Sequence, residues 1–179
     1  MCDHLFVVTG GPGSGKSSLI EALGRRGVQS MPEAGRAIIR DQVQIGGTAL
    51  PWDDRSAFAQ LMLGWELRSH HEAAAMPGPV VMDRGVPDVV GYLTLCGLPV
   101  PDYVETAARL FAYNKRVFLA PFWSEIFTQD AERKQDRQEA EATCKVMADT
   151  YARLGYELIE LPFLDIEARA DFVMRHLRL

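Results

Sequence analysis

The sequence predicts an α/β protein of three layers, in which a five-stranded parallel sheet is covered by helices on both faces. Three observations predict it. Short apolar runs alternate with helical periodicities along all 179 residues. The first run stops at glycines, as a buried parallel strand does. Each later β segment is separated from the one before by a helix, the connection parallel strands require.

The elements follow in order. Residues 5–9, Leu-Phe-Val-Val-Thr, are the first strand. Residues 17–26 carry Leu19, Ile20 and Leu23 on one helical face, and Gly27 supplies a stop. Residues 28–32 form a weak second strand, and residues 34–45 a helix. Asp53 or Asp54 caps a long helix with Phe58, Leu61, Met62 and Trp65 at helical spacing, ended by Met76-Pro77-Gly78-Pro79. Residues 80–82 are the third strand, closed by Asp83. Pro87 marks the first turn of a short helix reaching about Cys96. Asp102, with Glu105 three residues on, resembles a capping box for a helix over 103–113. Residues 116–120 are the fourth strand, and the polar, aromatic stretch 121–136 a loop or lid. Residues 137–154 form a helix stopped by Gly155, residues 156–161 the fifth strand, and residues 165–177 a closing helix. No repeat, low-complexity tract or linker interrupts the pattern. One domain spanning residues 1–179, with a lid near 122–138, is expected.

Composition narrows the function classes. A chain of this length buries roughly two-thirds of its unfolded surface. Its 47% hydrophobic and 24% charged residues are those of a globular chain and exclude a disordered, collagenous or coiled-coil protein. A net charge of -5 argues against a nucleic-acid partner held by a large basic field. Cys2, Cys96 and Cys144 are odd in number, without a CxxC or a histidine at zinc spacing, and read as reduced thiols. No apolar run approaches the roughly 18 residues of a membrane span. Asp3 stands where a signal peptide carries Lys or Arg. A cytoplasmic protein without a membrane partner is expected, and no motif sets an oligomeric state.

The strongest chemical signal is Gly10-Gly11-Pro12-Gly13-Ser14-Gly15-Lys16-Ser17, followed by Ser18. It fits G-x-x-x-x-G-K-[ST] at every fixed position, between a strand and an amphipathic helix. Backbone N–H groups must point inward around a phosphate, which glycines allow. The following helix adds its orphan N–H donors and the positive end of its dipole. Lys16 brings an ammonium for the β- and γ-phosphates of ATP, and Ser17 a hydroxyl for Mg²⁺.

Val80-Val81-Met82-Asp83 is a Walker B pattern, with a carboxylate at the sheet edge where ligands gather. Asp83 is the second candidate for Mg²⁺, its bland reading being a capping residue. Glu33, just past the second strand, can take a proton from a substrate hydroxyl or serve as an acid at a helix N-terminus. Whether Glu33 or Asp83 is the base stays open at this point. Arg36 meets a substrate anion or lies solvated. Arg84 binds a phosphate or acceptor group, or forms a structural ion pair. Asp88 and Tyr92 share one helix face and line an acceptor pocket if the sheet edge is the active site. Arg133 and Arg137 are four apart and would project together from a lid over the γ-phosphate. The bland alternative is a solvated face threaded by Glu132, Asp136 and Glu139. Trp52 and Trp123 are loop residues able to wall a pocket. Phe58 and Trp65 read as core, and His70-His71 as surface or partly buried residues.

The chain resembles the small AAA-type P-loop family of nucleoside-kinase-like ATPases. That family is related to the ribosylnicotinamide kinase domain of NAD-regulator proteins and, more distantly, to deoxynucleoside kinases. The resemblance rests on Gly10–Ser18, the Pro32-Glu33-Ala34-Gly35-Arg36 segment, residues 80–88, the strand and loop at 116–123, Asp130 to Arg133, and residues 154–162. It implies a P-loop NTPase fold of nucleoside-kinase-like type, with Asp83-Arg84 as the pair after the third strand, Glu33 as base, and Arg133 and Arg137 as lid arginines. The chain departs from deoxynucleoside kinases at Asp83-Arg84-Gly85, where those carry Glu-Arg-Ser.

The expectation is an ATP- and Mg²⁺-dependent phosphotransferase acting on a small, nucleoside-like acceptor. The alternatives are a regulatory NTP-binding module with slow hydrolysis, and a protein whose loop holds only an anion. A guanine-specific GTPase is disfavoured, because Asn114-Lys115-Arg116-Val117 lacks the expected Asp and precedes its strand.

Overall fold

The computed structural model describes residues 2–125 and 137–177. Five parallel strands run β1 (Leu5–Gly10), β2 (Gln29–Met31), β3 (Val80–Asp83), β4 (Arg116–Ala120) and β5 (Glu157–Glu160). The helices are α1 (Lys16–Arg25), α2 (Ala34–Ile45), α3 (Arg55–Ala74), α4 (Val86–Leu95), α5 (Asp102–Leu110), α6 (Arg137–Arg153) and α7 (Ile166–His176). In space the strands lie in the order β2-β3-β1-β4-β5.

β1 is central and buried along its whole length. Its side chains alternate as a pleated strand requires. Phe6 and Val8 pack with Leu19 and Leu23 of α1 and Ala170 and Val173 of α7. Leu5 and Val7 point the other way, into a cluster with Met82, Tyr113, Val117 and Tyr151. A third cluster, built from α3, α4 and α5, joins Ala59, Leu63, Val86, Val90, Val104 and Ala108. Two helical layers therefore enclose the sheet, as the sequence predicts. No helix among the described residues is long and apolar enough to cross a membrane.

The chain leaves β1 for β2, returns to insert β3 beside β1, then crosses to β4 and β5 on the other side. The crevice outside the carboxyl ends of β1 and its neighbours is the place where such sheets bind ligands. Registers of Val8 with Asp83 and of Gly10 with Ala120 bring the ends of three strands to that edge.

Most expected ends lie within a residue or two of the observed ones. Asp54 is the cap of α3, its carboxylate accepting from Ala57 N at 2.9 Å. Asp165 caps α7 in the same way, through Ala168 N. The capping box expected at Asp102 is absent: Pro101 is the N-cap and Asp102 the first helical residue, so its acid only favours the helix dipole. α5 also ends at Leu110, three residues early. Phe111 adopts ψ 63 there, and Tyr113 turns inward to complete burial. His70 is buried rather than superficial, its Nε2 3.1 Å from Ala112 O. The thiols of Cys2, Cys96 and Cys144 are free.

Candidate active site

The turn from β1 into α1 is shaped by its own backbone. Gly15 is the N-cap of α1 in the left-handed region, at φ 79, where a side chain would be strained. Gly11 is a glycine for a different reason. A Cβ there would stand 2.4 Å from Ala140 O, because α6 packs directly on the loop. Ser14 Oγ donates to Gly11 O at 2.8 Å and tightens the turn. The Lys16 ammonium lies over the loop, donating to Gly11 O at 2.6 Å and Gly10 O at 3.3 Å. Ser17 and Ser18 are exposed on the first turn of α1. The first helical amides and the Lys16 charge therefore converge on one place, which suits a polyphosphate.

Arg169 of α7, only 1% exposed, supports the loop from behind. Its Nη1 donates to Ser14 O at 3.0 Å, and its guanidinium lies 5.9 Å from the Trp123 ring. Burial pulls this guanidinium below its ordinary pKa. Trp123 packs on Phe163, and so lies on the Arg169 side of the loop.

Beside the loop, β3 ends in Asp83, buried at 7% exposure. Arg84 follows with φ 76. A non-glycine residue held there costs about 1–3 kcal/mol, and the surroundings hold it firmly. Arg84 N donates to Val8 O, Arg84 Nε donates to Glu33 Oε1 at 3.1 Å, and Nη1 donates to Asp88 Oδ1 at 2.9 Å. Burial by itself lowers the Arg84 pKa, but Glu33, Asp88 and Asp83 outweigh it and hold the guanidinium charged. The strained turn thus aims a permanent cation into the crevice.

Glu33 is the backbone N-cap of α2, yet its side chain makes no cap hydrogen bond. It turns inward instead, between Arg84 and Arg36, the latter at 3.4 Å. Arg36 is thus an ion-pair partner of Glu33. Asp88 accepts from Thr9 Oγ1 at 2.7 Å, Gly85 N at 3.0 Å and Tyr151 Oη at 2.6 Å, in addition to Arg84. Burial, then Asp88, pushes the Tyr151 hydroxyl well above its usual range, so it stays a donor. Asp88 is therefore the knot tying β1, α4 and α6 to Arg84.

In front of the loop opens a cavity of about 920 Å³. Pro12 is its link to the phosphate loop, and Glu33, Arg84, Asp88 and Tyr92 line it. Trp52 and Phe58 also face it, and Phe58 meets Tyr92 edge-on at 5.4 Å. Burial and the Cys96 thiol raise the Tyr92 hydroxyl pKa. The sheet edge thus gathers the phosphate loop, Glu33, Asp83, Arg84, Asp88 and Tyr92. Arg137 opens α6, paired with Glu141 at 3.4 Å and lying over Phe122. Arg133, Glu132 and Asp136 lie outside the described residues.

Sequence reading missed Thr9, Tyr151, Arg169 and Glu66. Glu66 was legible in part, since it falls eight residues after Phe58 on the same helix face. The other three gave no local signal, because Thr9, Tyr151 and Arg169 meet their partners across 79, 63 and 155 residues.

The parallel sheet with strand order 2-3-1-4-5, and the glycine loop between its central strand and α1, define a P-loop α/β protein of kinase-like fold. A family model described as an AAA domain matches residues 5–169, and the chain belongs to that family. Deoxyadenosine kinase from M. mycoides, with dCMP and dCDP, is similar in structure at a TM-score of 0.69 and 12% identity, over 97% of this chain and 98% of that one. The NadR protein in complex with NR matches at a TM-score of 0.68 and 17% identity, over 99% of this chain and 52% of that one. Shikimate kinase from Acinetobacter baumannii in complex with shikimate follows at a TM-score of 0.57 and 15% identity, over 97% and 91%. No curated protein sequence matches the chain.

Proposed function

We propose that the chain is an ATP- and Mg²⁺-dependent kinase, one domain with a lid near 122–138, that phosphorylates a hydroxyl of a small, nucleoside-like acceptor. The observation that carries this reading is the cavity itself. It joins the phosphate loop at Pro12 and has Glu33 and Arg84 in its wall. A nucleotide switch needs the loop but no second chamber, whereas a chamber of this volume suits a small molecule. Similarity of fold to deoxyadenosine kinase, NadR and shikimate kinase supports the same reading.

In this reading Gly10 to Ser18 hold the triphosphate, and Lys16 exchanges its loop carbonyls for β- and γ-phosphate oxygens. The Ser17 hydroxyl and the Asp83 carboxylate are hard oxygen donors of the kind Mg²⁺ takes. They would hold the ion, which when bound neutralises phosphate charge. Glu33 faces the cavity and Asp83 does not line it, so Glu33 is the better base. It accepts the acceptor's hydroxyl proton as that oxygen bonds to the γ-phosphorus. The bond from the γ-phosphorus to the bridging oxygen breaks, and ADP leaves. Arg84 steadies Glu33 and offers charge to the transferred group. Arg133 and Arg137 would close over it from the lid.

The test is ADP release from ATP across a panel of nucleosides, nucleotides and small polyols. Acceptor-stimulated turnover that falls about 10²–10⁴-fold in Glu33→Gln is expected. ATP binding with no acceptor effect anywhere in the panel would favour a regulatory module instead.

A further inference from the structure

The face of α3 that looks into the cavity carries Phe58, Met62 and Glu66 at four-residue spacing. Two of these are what an apolar wall needs. Glu66 is not, and it is only 4% exposed. Its carboxyl makes no hydrogen bond or ion pair among the described residues. Arg84 attracts it, but the Nε and Nη1 of Arg84 are already committed to Glu33 and Asp88. A buried carboxyl without a partner is costly, and a fold that needed only packing would replace it by Leu.

The surroundings select its ligand. Glu33, Asp83 and Asp88 stand close enough to repel negative charge, so an anionic group is unwelcome beside Glu66. Burial first, and then Asp88, pushes the Glu66 carboxyl well above the usual carboxylate range. A protonated carboxyl offers an O–H donor next to a C=O acceptor. The cavity is also lined by Phe58, Met62, Tyr92 and Met147, flat and sulfur-bearing walls of the kind that take an aromatic ring.

Resting on the kinase reading above, we propose that Glu66 determines acceptor specificity. Its carboxyl pairs with the adjacent hydrogen-bond donor and acceptor on the edge of a planar nitrogen heterocycle held between α3, α4 and α6. Phosphoryl transfer would then take place at the hydroxyl-bearing end of the same molecule, next to Glu33.

Equilibrium binding without ATP tests this, using adenosine, cytidine, inosine and uridine as probes. Phenyl riboside serves as the ring without a polar edge, and shikimate as the anionic control. The wild type should bind at least one nucleoside about tenfold or more tighter than phenyl riboside, and shikimate more weakly still. Glu66→Gln keeps a donor beside an acceptor and should retain most of that preference, whereas Glu66→Met should abolish it. Unchanged or raised thermal stability in Glu66→Met would separate this role from a structural one. The proposal is overturned if no nucleoside outbinds phenyl riboside, or if the Met and Gln variants bind alike. Nucleoside binding through Glu66 without phosphoryl transfer would sink the kinase reading and leave this one standing. Transfer to an acceptor lacking such a ring, at equal rates in both variants, would do the reverse.

Discussion

The phosphate loop and the cavity in front of it are neighbours built on opposite plans. The loop spans eight consecutive residues, and its binding groups are mostly backbone amides, fixed by a left-handed Gly15 and by the Ser14–Gly11 hydrogen bond. The cavity is lined by side chains from α2, α3, α4 and α6, which converge only when the sheet has formed. A site of amides tolerates few changes of shape, because its donors move with the main chain. A site of side chains can change its ligand by substitution while the fold persists. The first plan suits a constant phosphate donor, the second a variable acceptor.

Between the two lies the Arg84 turn. It belongs to the loop by its backbone bond to Val8 and to the cavity by its ion pairs with Glu33 and Asp88. The strain at φ 76 is held by contacts from both regions, so damage to either should loosen it.

The largest effect is expected in the loop. Lys16→Ala should lower acceptor-dependent turnover about 10²–10³-fold with little change in melting temperature, read by coupled ADP assay and thermal unfolding. Equal turnover in the variant would break the contrast. Next comes the knot at the boundary. Asp88→Asn places an amide where Thr9, Arg84, Gly85 and Tyr151 all donate. A loss of about 2–4 kcal/mol is expected in urea unfolding, since buried donors lose their acceptor. Gly11→Ala should cost about 1–3 kcal/mol, because its new methyl meets Ala140 O of α6. Crystallography should show α6 displaced from the loop.

The smallest effect is expected in the cavity and depends on pH. The folded Glu66 pKa lies well above 4.5, so folding favours the protonated acid. Stability from this group is full below pH 4.5 and is lost as pH rises through the raised folded value. Glu66→Gln should therefore match the wild type at low pH and become the more stable of the two as pH rises toward 8, read by urea unfolding across that range. Parallel pH profiles for the two proteins would show that Glu66 titrates normally.

The same division governs how much could be read in advance. The apolar run at 5–9, the glycine loop and the capping Asp54 and Asp165 carry local signals, and the structure has the strand, the loop and both caps in place. Asp83, Arg84 and Glu33 were legible as strand-end residues, because a parallel sheet delivers such residues to one edge. Asp88 was read as a pocket residue through its spacing with Tyr92. Its role as acceptor for Tyr151, 63 residues away, was hidden.

By itself the sequence determined the layered α/β architecture, the phosphate loop and the edge of the sheet where chemistry would gather. Those follow from hydrophobic period, glycine dihedrals and strand direction, all of which are local. Only the tertiary structure decided that Arg84 would be strained into the crevice, that Arg169 would brace Ser14, and that Glu66 would face a cavity with no partner among the described residues. Each of these depends on which distant helix packs against which strand. Burial and unmet hydrogen-bonding capacity are set by neighbours in space, and no window of sequence contains them.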